Sequence, residues 1–187
     1  MKILVAIKQI PRRDATPQID ESGRWNPDEQ SEYETNEPDA FALEEALQLK
    51  DRHGGEVVVL SAGPERVTQS IREALSLGAD RGIHIVCDDL AGLDTLGLAG
   101  RLAEAARRES PDLILTGLQS DDLGLGQTGV VMAELLDIPH ATIIMQVDAG
   151  DGRVRVKREL ESGWFQWIEL PLPALLTHRH RRYMKHV

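Results

Sequence analysis

Cysteine is almost missing from this chain of 187 residues: Cys87 stands alone. No intrachain disulfide can form, and the usage fits a reducing compartment, with Cys87 as a buried thiol at a strand end. Long apolar runs are missing as well. The opening Met1-Lys-Ile-Leu-Val-Ala-Ile7 stops at Lys8, too short for a membrane span or the core of a signal peptide. The expectation is a soluble, cytoplasmic protein. An excess of positive charge is also lacking: the formal charge is -10 and the isoelectric point near 5.0, which argues against a nucleic-acid surface. The one basic cluster, Arg179 to Lys185, reads as a solvated tail. His178, His180 and His186 lie near it without evident acidic or Cys partners, so no metal is assigned. Catalytic spacings are absent too. There is no Cys–His or Ser–His–Asp arrangement and no carboxylate pair on one element, and His53 and His84 read as solvated. Gly124-Leu-Gly-Gln-Thr-Gly129 has the G-x-G-x-x-G spacing but does not follow directly on a strand, as the dinucleotide fingerprint does, and G-x-x-x-x-G-K-[ST] does not occur, so neither a dinucleotide dehydrogenase nor a P-loop NTPase is implied.

What is present is a regular alternation. Ile3–Ile7, Val57–Ser61, Ile83–Val86 and Leu113–Thr116 read as strands, separated by helix patterns over Asp39–Arg52, Pro64–Leu77, Leu93–Arg108 and Val130–Leu136. The strand runs show no polar alternation, as expected of strands buried on both faces in a mainly parallel sheet. Phe41, Leu43, Ala46 and Leu47, and then Val67, Ile71, Ala74 and Leu75, recur at helical spacing and belong to a core. Gly54-Gly55 and Gly78 supply helix ends. After Pro139 the pattern changes: Ala141–Val147, Arg153–Glu159 and Trp164–Leu170 read as an antiparallel addition with a turn at Asp148–Gly152. Trp164, Phe165 and Trp167 lie on both faces of this ribbon. Either one face meets a partner, or the ribbon folds back on its own core. The chain reads as a single nucleotide-binding α/β domain over residues 1–187, with a late β-ribbon at about 141–170 and a short basic tail at 178–187.

The stretch Gly117-Leu-Gln-Ser-Asp-Asp-Leu-Gly-Leu-Gly-Gln-Thr-Gly129 carries the functional signal. Its glycines let backbone approach a ligand closely, and the helix start behind it offers N–H groups to a phosphate. The alternative is a capped turn with no ligand. If the parallel strands run in the order 3-2-1-4-5, the ends at Ala6, Ser61-Ala-Gly-Pro64 and Gly117 converge on one crevice at the point where strand order reverses. The polar segment between Pro11 and Glu37 rises at the same edge, as a long loop or small hairpin.

At this point the chain resembles the β subunit of electron transfer flavoproteins. The resemblance rests on Ile3-Leu-Val-Ala-Ile-Lys8, Asn36-Glu-Pro-Asp-Ala-Phe-Ala-Leu-Glu-Glu-Ala46, Ser61-Ala-Gly-Pro64, Ala74-Leu-Ser-Leu-Gly-Ala-Asp-Arg-Gly82, the Gly117–Gly129 loop and Leu172-Pro-Ala-Leu-Leu-Thr177, in order along nearly the whole chain. It implies a three-layer α/β/α sandwich of the adenine nucleotide α-hydrolase-like, Rossmann-like kind, with a mainly parallel sheet and a C-terminal antiparallel hairpin. It implies a subunit that binds AMP structurally and helps to place the FAD of an α subunit. The pair would carry electrons from flavin dehydrogenases, such as acyl-CoA dehydrogenases, to a quinone reductase or other acceptor. The implied nucleotide contacts are Ala6, Asn36, Glu37, Pro38, Asp39, Ala62, Gly117, Leu118, Gln119, Ser120, Asp121, Asp122, Leu123, Gly124, Leu125, Gly126, Gln127 and Thr128. Asn36 and Asp39 suit adenine or ribose edges, and Gln127 with Thr128 suits the phosphate. Asp121 and Asp122 fall on ribose hydroxyls or act as caps.

The chain also departs from the family pattern. Leu123, Gly124 and Gly126 stand where the family carries acidic residues and an asparagine. Glu37 separates Asn36 from Pro38. Arg13 and Pro38 occupy the positions of the aromatic residues that touch the isoalloxazine. The family continues past Arg182-Tyr183 into a docking loop and a long arm, whereas this sequence ends at Val187, as a fragment or a short member. Two other readings stay open: a bifurcating-type subunit with a second FAD in place of AMP, and a stand-alone ATP- or AMP-binding module of the universal-stress type. The latter is disfavoured by Ser120 and Val130, where its loop carries glycine and then Ser or Thr. Self-association is expected for a subunit isolated from its partner.

Overall fold

The computed structural model describes residues 1–15, 21, 23, 32–88, 90, 92–179 and 185–186. Most of the polar segment after Pro11, including Pro17 and Pro27, and also His180, Arg182 and Tyr183, lie outside the described residues.

In chain order the strands and helices are β1 (Lys2–Ala6), β2 (Gln9–Pro11), β3 (Tyr33–Thr35), α1 (Glu37–His53), β4 (Glu56–Gly63), α2 (Thr68–Leu77), β5 (Arg81–Val86), α3 (Thr95–Glu109), β6 (Leu113–Gly117), α4 (Thr128–Leu136), β7 (His140–Gly150), β8 (Arg153–Glu159), β9 (Phe165–Pro171) and β10 (Ala174–His178). The main sheet has eight strands in the order β5-β4-β1-β6-β10-β7-β8-β9. Pairing is parallel from β5 to β7 and antiparallel across β7-β8-β9. A separate antiparallel pair, β2 with β3, forms the base of the segment after β1. The small-hairpin reading describes that base.

Burial explains why the parallel strands lack polar alternation. Ile3, Val5, Val57, Val59, Leu113, Leu115 and Leu176 face one way, onto Ala42, Leu43, Ala46 and Leu47 of α1. Leu4, Val58, Leu60, Ile114 and Leu175 face the other, onto Ala99, Leu102 and Ala106 of α3 and Met132 and Ala133 of α4. With a helix layer on each side, the middle positions of these strands are core on both faces, and each large aliphatic side chain contributes about 1.5–3 kcal/mol by leaving water. The result is the α/β/α sandwich with a C-terminal antiparallel addition. Helix ends follow local chemistry: Asp94 accepts from the Gly97 N–H at 2.7 Å as the α3 cap, and α1 stops at Gly54 with φ +68°.

Two differences from the sequence reading concern the later half. First, the fifth strand does not sit beside the fourth. β10 lies between β6 and β7, with Leu175 opposite both Ile114 and His140. Ala174-Leu-Leu-Thr177 is a four-residue apolar run behind two prolines, too short for periodicity to separate strand from helix. Second, β7 belongs to both parts of the sheet. Its first half pairs parallel with β10 and its second half antiparallel with β8, across a register shift between Ile144 and Gln146. Ile143, just before the shift, has φ +60°.

The basic segment at the end is not a free tail where it is described. His178 is buried in β10. The fully buried carboxylate of Glu44 on α1 accepts the backbone N–H groups of Lys185 and His186, both at 2.7 Å, and Asp51, two turns further along, takes the Lys185 ammonium and faces the His186 ring at 3.3 Å. The acidic partners that the local sequence did not suggest come from α1.

Candidate functional site

The parallel order puts the reversal point between β1 and β6. From β1 the chain winds outward through β4 to β5, then crosses to the other side of β1 for β6. The carboxyl ends of β1, β4 and β6 therefore adjoin, with Ala6 level with Leu60 and Thr116. Ile7 donates to the Leu60 carbonyl at 2.9 Å, and the Ser61 hydroxyl donates to the Ile7 carbonyl at 2.8 Å. Ala6 is buried and Ala62 half-buried, so both present small side chains at the floor of the crevice.

Over this floor the N-terminus of α1 meets the loop after β6. Asp39, buried, accepts from the Lys8 N–H and the Gly117 N–H, each at 2.8 Å, and so ties the ends of β1 and β6 together. Burial pushes the Asp39 carboxyl up to about 6, against the hydrogen bonds from those two amides. Asn36, also buried, donates from Nδ2 to the Gln119 carbonyl at 3.1 Å and accepts the Asp121 N–H at 3.0 Å. Both side chains are thus engaged in shaping the loop, not displayed on the open surface. Gly117 is required by the closeness of this clamp. A Cβ there would stand 2.3 Å from Asp39 Oδ1 and 2.8 Å from Pro38 Cβ.

The acidic pair of the loop is neutralised from the segment after β1. Lys8 Nζ lies 2.6 Å from both carboxylate oxygens of Asp122 and 3.3 Å from the Ser120 hydroxyl. Burial opposes ionisation of Asp122, but the hydrogen bonds from Lys8 and Ser120 outweigh it and hold the carboxyl below its usual range. Arg13 bridges Asp121, at 2.7 Å, and Glu37. Asp122 also caps the Leu123 N–H at 2.8 Å. Lys8 and Arg13 were not read as site residues from sequence. The available signal was two adjacent carboxylates in a glycine-rich loop, which need a countercharge if they are to be held close.

Beyond Asp122 the loop changes character. Leu123 to Gln127 are exposed, with Leu123 at 63% and Leu125 at 57%. Gly126 has φ +63°, a conformation that a β-branched residue resists. Thr128 opens α4, whose first N–H groups have no intrahelical acceptor and face the loop. Leu118 donates to the His178 carbonyl at 2.6 Å, joining the loop to β10. Of the implied contact residues, Ala6, Asn36, Glu37, Asp39, Ala62 and Gly117 to Asp122 are tied to one another or to the sheet by named bonds or by strand register; among the described residues, Pro38, Thr128 and the exposed run Leu123 to Gln127 are not tied to the sheet in this way.

Other features lie apart. His84 is half-buried, with Nε2 2.8 Å from the Gly63 carbonyl, not simply solvated as expected. A groove of about 560 Å³ opens at the amino ends of the strands, by Arg107, Asp112 and Pro173, and one of about 720 Å³ runs along β5 and α3; neither includes the crevice. On the ribbon, Phe165 and Trp167 share one face with Lys157 and Arg155, whose charges lie 4.0 and 4.5 Å from the ring centres. The opposite face, Val154, Val156, Ile168 and Leu170, joins the α1-side core. Trp164 precedes β9 and is 73% exposed. Among the described residues, no helix is long and apolar enough to cross a membrane.

A mainly parallel α/β/α sandwich with a clamped glycine-rich loop at its reversal point belongs to the doubly wound α/β class, in which a ligand crevice opens at the carboxyl ends of the strands. The family model for the electron transfer flavoprotein domain matches residues 25–185, and the chain belongs to that family. It is 39% identical over 181 residues to a protein named electron transfer flavoprotein subunit beta from Methylophilus methylotrophus, covering 95% of this chain and 69% of that protein. The same name is carried by a Thermoanaerobacterium thermosaccharolyticum relative, 36% identical over 177 residues, with 95% and 67% covered. A protein named FixA from Sinorhizobium fredii is 38% identical over 187 residues, with 95% and 64% covered. The chain thus spans about two thirds of the length of these relatives.

Proposed function

We propose that this chain is the nucleotide-holding β subunit of an electron transfer flavoprotein, with AMP in the crevice over Ala6 and Ala62. The observation that carries the reading is the Asp39–Asn36 clamp, which holds the first part of the glycine-rich loop, at Gly117, Gln119 and Asp121, beside the reversal point of the sheet. The adenosine would lie on the small side chains of the floor, and the phosphate at the start of α4, where Gln127, Thr128 and free N–H groups stand. An α subunit would hold most of the FAD, which supplies the redox chemistry. This chain would contribute binding, orientation and contact. Donors would be flavin dehydrogenases such as acyl-CoA dehydrogenases, the acceptor a quinone reductase or similar protein, and the setting cytoplasmic. The outward face of Phe165 and Trp167, with the exposed Trp164, is the surface on which we seat the α subunit, because such aromatic area is costly in water.

One observation favours a second reading. The exposed run Leu123 to Gln127 carries no side chain at Gly124 or Gly126, leaving room for the pyrophosphate of a second FAD. Gentle purification, a visible spectrum, then acid release and mass identification decide between them. One AMP per chain and one flavin per heterodimer supports the first reading. Two flavins per heterodimer supports the second, and no adenine nucleotide at all refutes the site.

A further inference from the structure

The crevice is richer in negative than in positive side chains. Among the described residues, Glu37, Asp39, Asp121 and Asp122 stand around the loop, and the cations that reach it are Lys8 and Arg13. A phosphoryl group at the start of α4 is held more strongly with a cation beside it, and both cations are already engaged. Their situations differ. Arg13 and its partner Glu37 have side chains 59% and 54% exposed, so that bridge lies on the outer surface. Lys8 leaves from the end of β1, beside the reversal point, with its backbone N–H fixed by Asp39. Its partner Asp122 has a side chain only 12% exposed. Asp122 in turn holds the Leu123 N–H, where the exposed half of the loop begins.

We propose that Lys8 is the phosphate-binding cation of the crevice, masked by Asp122 until a nucleotide arrives. This rests on the nucleotide reading above and adds to it the residue that distinguishes a nucleotide from a nucleoside. A phosphomonoester carries close to two negative charges at neutral pH and three acceptor oxygens. It therefore competes with a single carboxylate for an ammonium on a flexible four-carbon stem. The exchange trades one ionic contact for another, so Lys8 keeps a partner throughout. Asp122 keeps its hydrogen bond to Leu123 and turns its other oxygen to water. A ligand without phosphate has nothing to offer in exchange, and for it the Lys8–Asp122 pair stays closed.

The test uses the full chain stripped of nucleotide, with AMP and adenosine titrated separately by calorimetry. Lys8→Met is expected to weaken AMP about ten-fold or more while changing adenosine less than about two-fold, as loss of one charged hydrogen bond requires. Lys8→Arg restores most of the AMP affinity, and Asp122→Asn, which unmasks the ammonium, tightens AMP but not adenosine. If Lys8→Met does not fold, the Arg and Asn variants decide. Equal loss of both ligands in Lys8→Met, or an Asp122→Asn variant that binds AMP more weakly, overturns the proposal. Equal wild-type affinity for AMP and adenosine also overturns it while leaving the site standing, and a wild-type chain that binds neither refutes the site itself.

Discussion

Replacing Asp39 with asparagine should separate the stability of this domain from its hold on a nucleotide. The ionised carboxylate accepts two backbone N–H groups, one from each side of the reversal point. Asparagine offers one acceptor and turns an NH2 toward the other amide, so one clamp is lost, at about 1–3 kcal/mol for the orphaned N–H. Against this, the folded protein no longer keeps a buried charge. The gap between an ordinary 3.8 and about 6 for this carboxyl corresponds to ~3 kcal/mol. The two effects are similar in size and opposite in sign, so the melting temperature should move by only a few degrees, at about 2–4 °C per kcal/mol for a domain of this size. Nucleotide retention should nevertheless fall about ten-fold or more, because Gly117 is no longer held to β1. Acid should mimic the variant. The folded value lies above the unfolded one, so the folded state takes up this proton first, and the group adds stability as pH falls from about 6 to about 4. Retention should therefore drop through pH 6 without a matching loss of fold. Thermal melts and equilibrium dialysis of AMP, run from pH 7.5 to 5, measure both. An Asp39→Asn chain that keeps AMP at wild-type affinity, or that melts far below wild type, refutes the reasoning.

Gly126→Val should abolish AMP retention with the helical circular dichroism unchanged, since valine resists φ +63°; Asp151→Ala, in the hairpin turn, is the control that keeps the nucleotide. Trp164→Ser with Trp167→Ser should prevent co-purification with a co-expressed α subunit while AMP binding persists; recovery of the full complex would place the interface elsewhere. Glu44→Ala should speed amide hydrogen exchange at Lys185 and His186 by roughly an order of magnitude or more, as expected from losing hydrogen bonds to a buried charge. Unchanged exchange there would show that the carboxylate does not hold this segment.

The parallel half of the fold was legible because each strand announces itself: Ile3–Ile7, Val57–Ser61 and Leu113–Thr116 are β-branched or leucine-rich runs between helical stripes, and burial on both faces leaves no other use for them. The crevice was legible at the level of the glycine-rich loop. The roles of Asn36 and Asp39 were not, because their partners lie in Gln119, Asp121 and Gly117, some eighty residues away. A polar residue beside a presumed ligand looks the same in sequence whether it meets the ligand or builds its seat. The position of β10 was hidden for a related reason. Nothing local in Ala174-Leu-Leu-Thr177 says which neighbours it pairs with.

That strand has a consequence for how the molecule is made. Everything up to β6 can pair as it emerges from the ribosome, but β6 and β7 wait with open edges until residue 178 has been synthesised. β10 is the mortar between two partial sheets that are not hydrogen-bonded to each other without it. Contacts of such long sequence separation form late, and edges left open meanwhile invite association with other chains. The yield of this protein should therefore be sensitive to changes in β10: a Leu175→Asp change would deprive the two half-sheets of their joining strand, whereas the same change at Val86, exposed at the end of edge strand β5, would be tolerated.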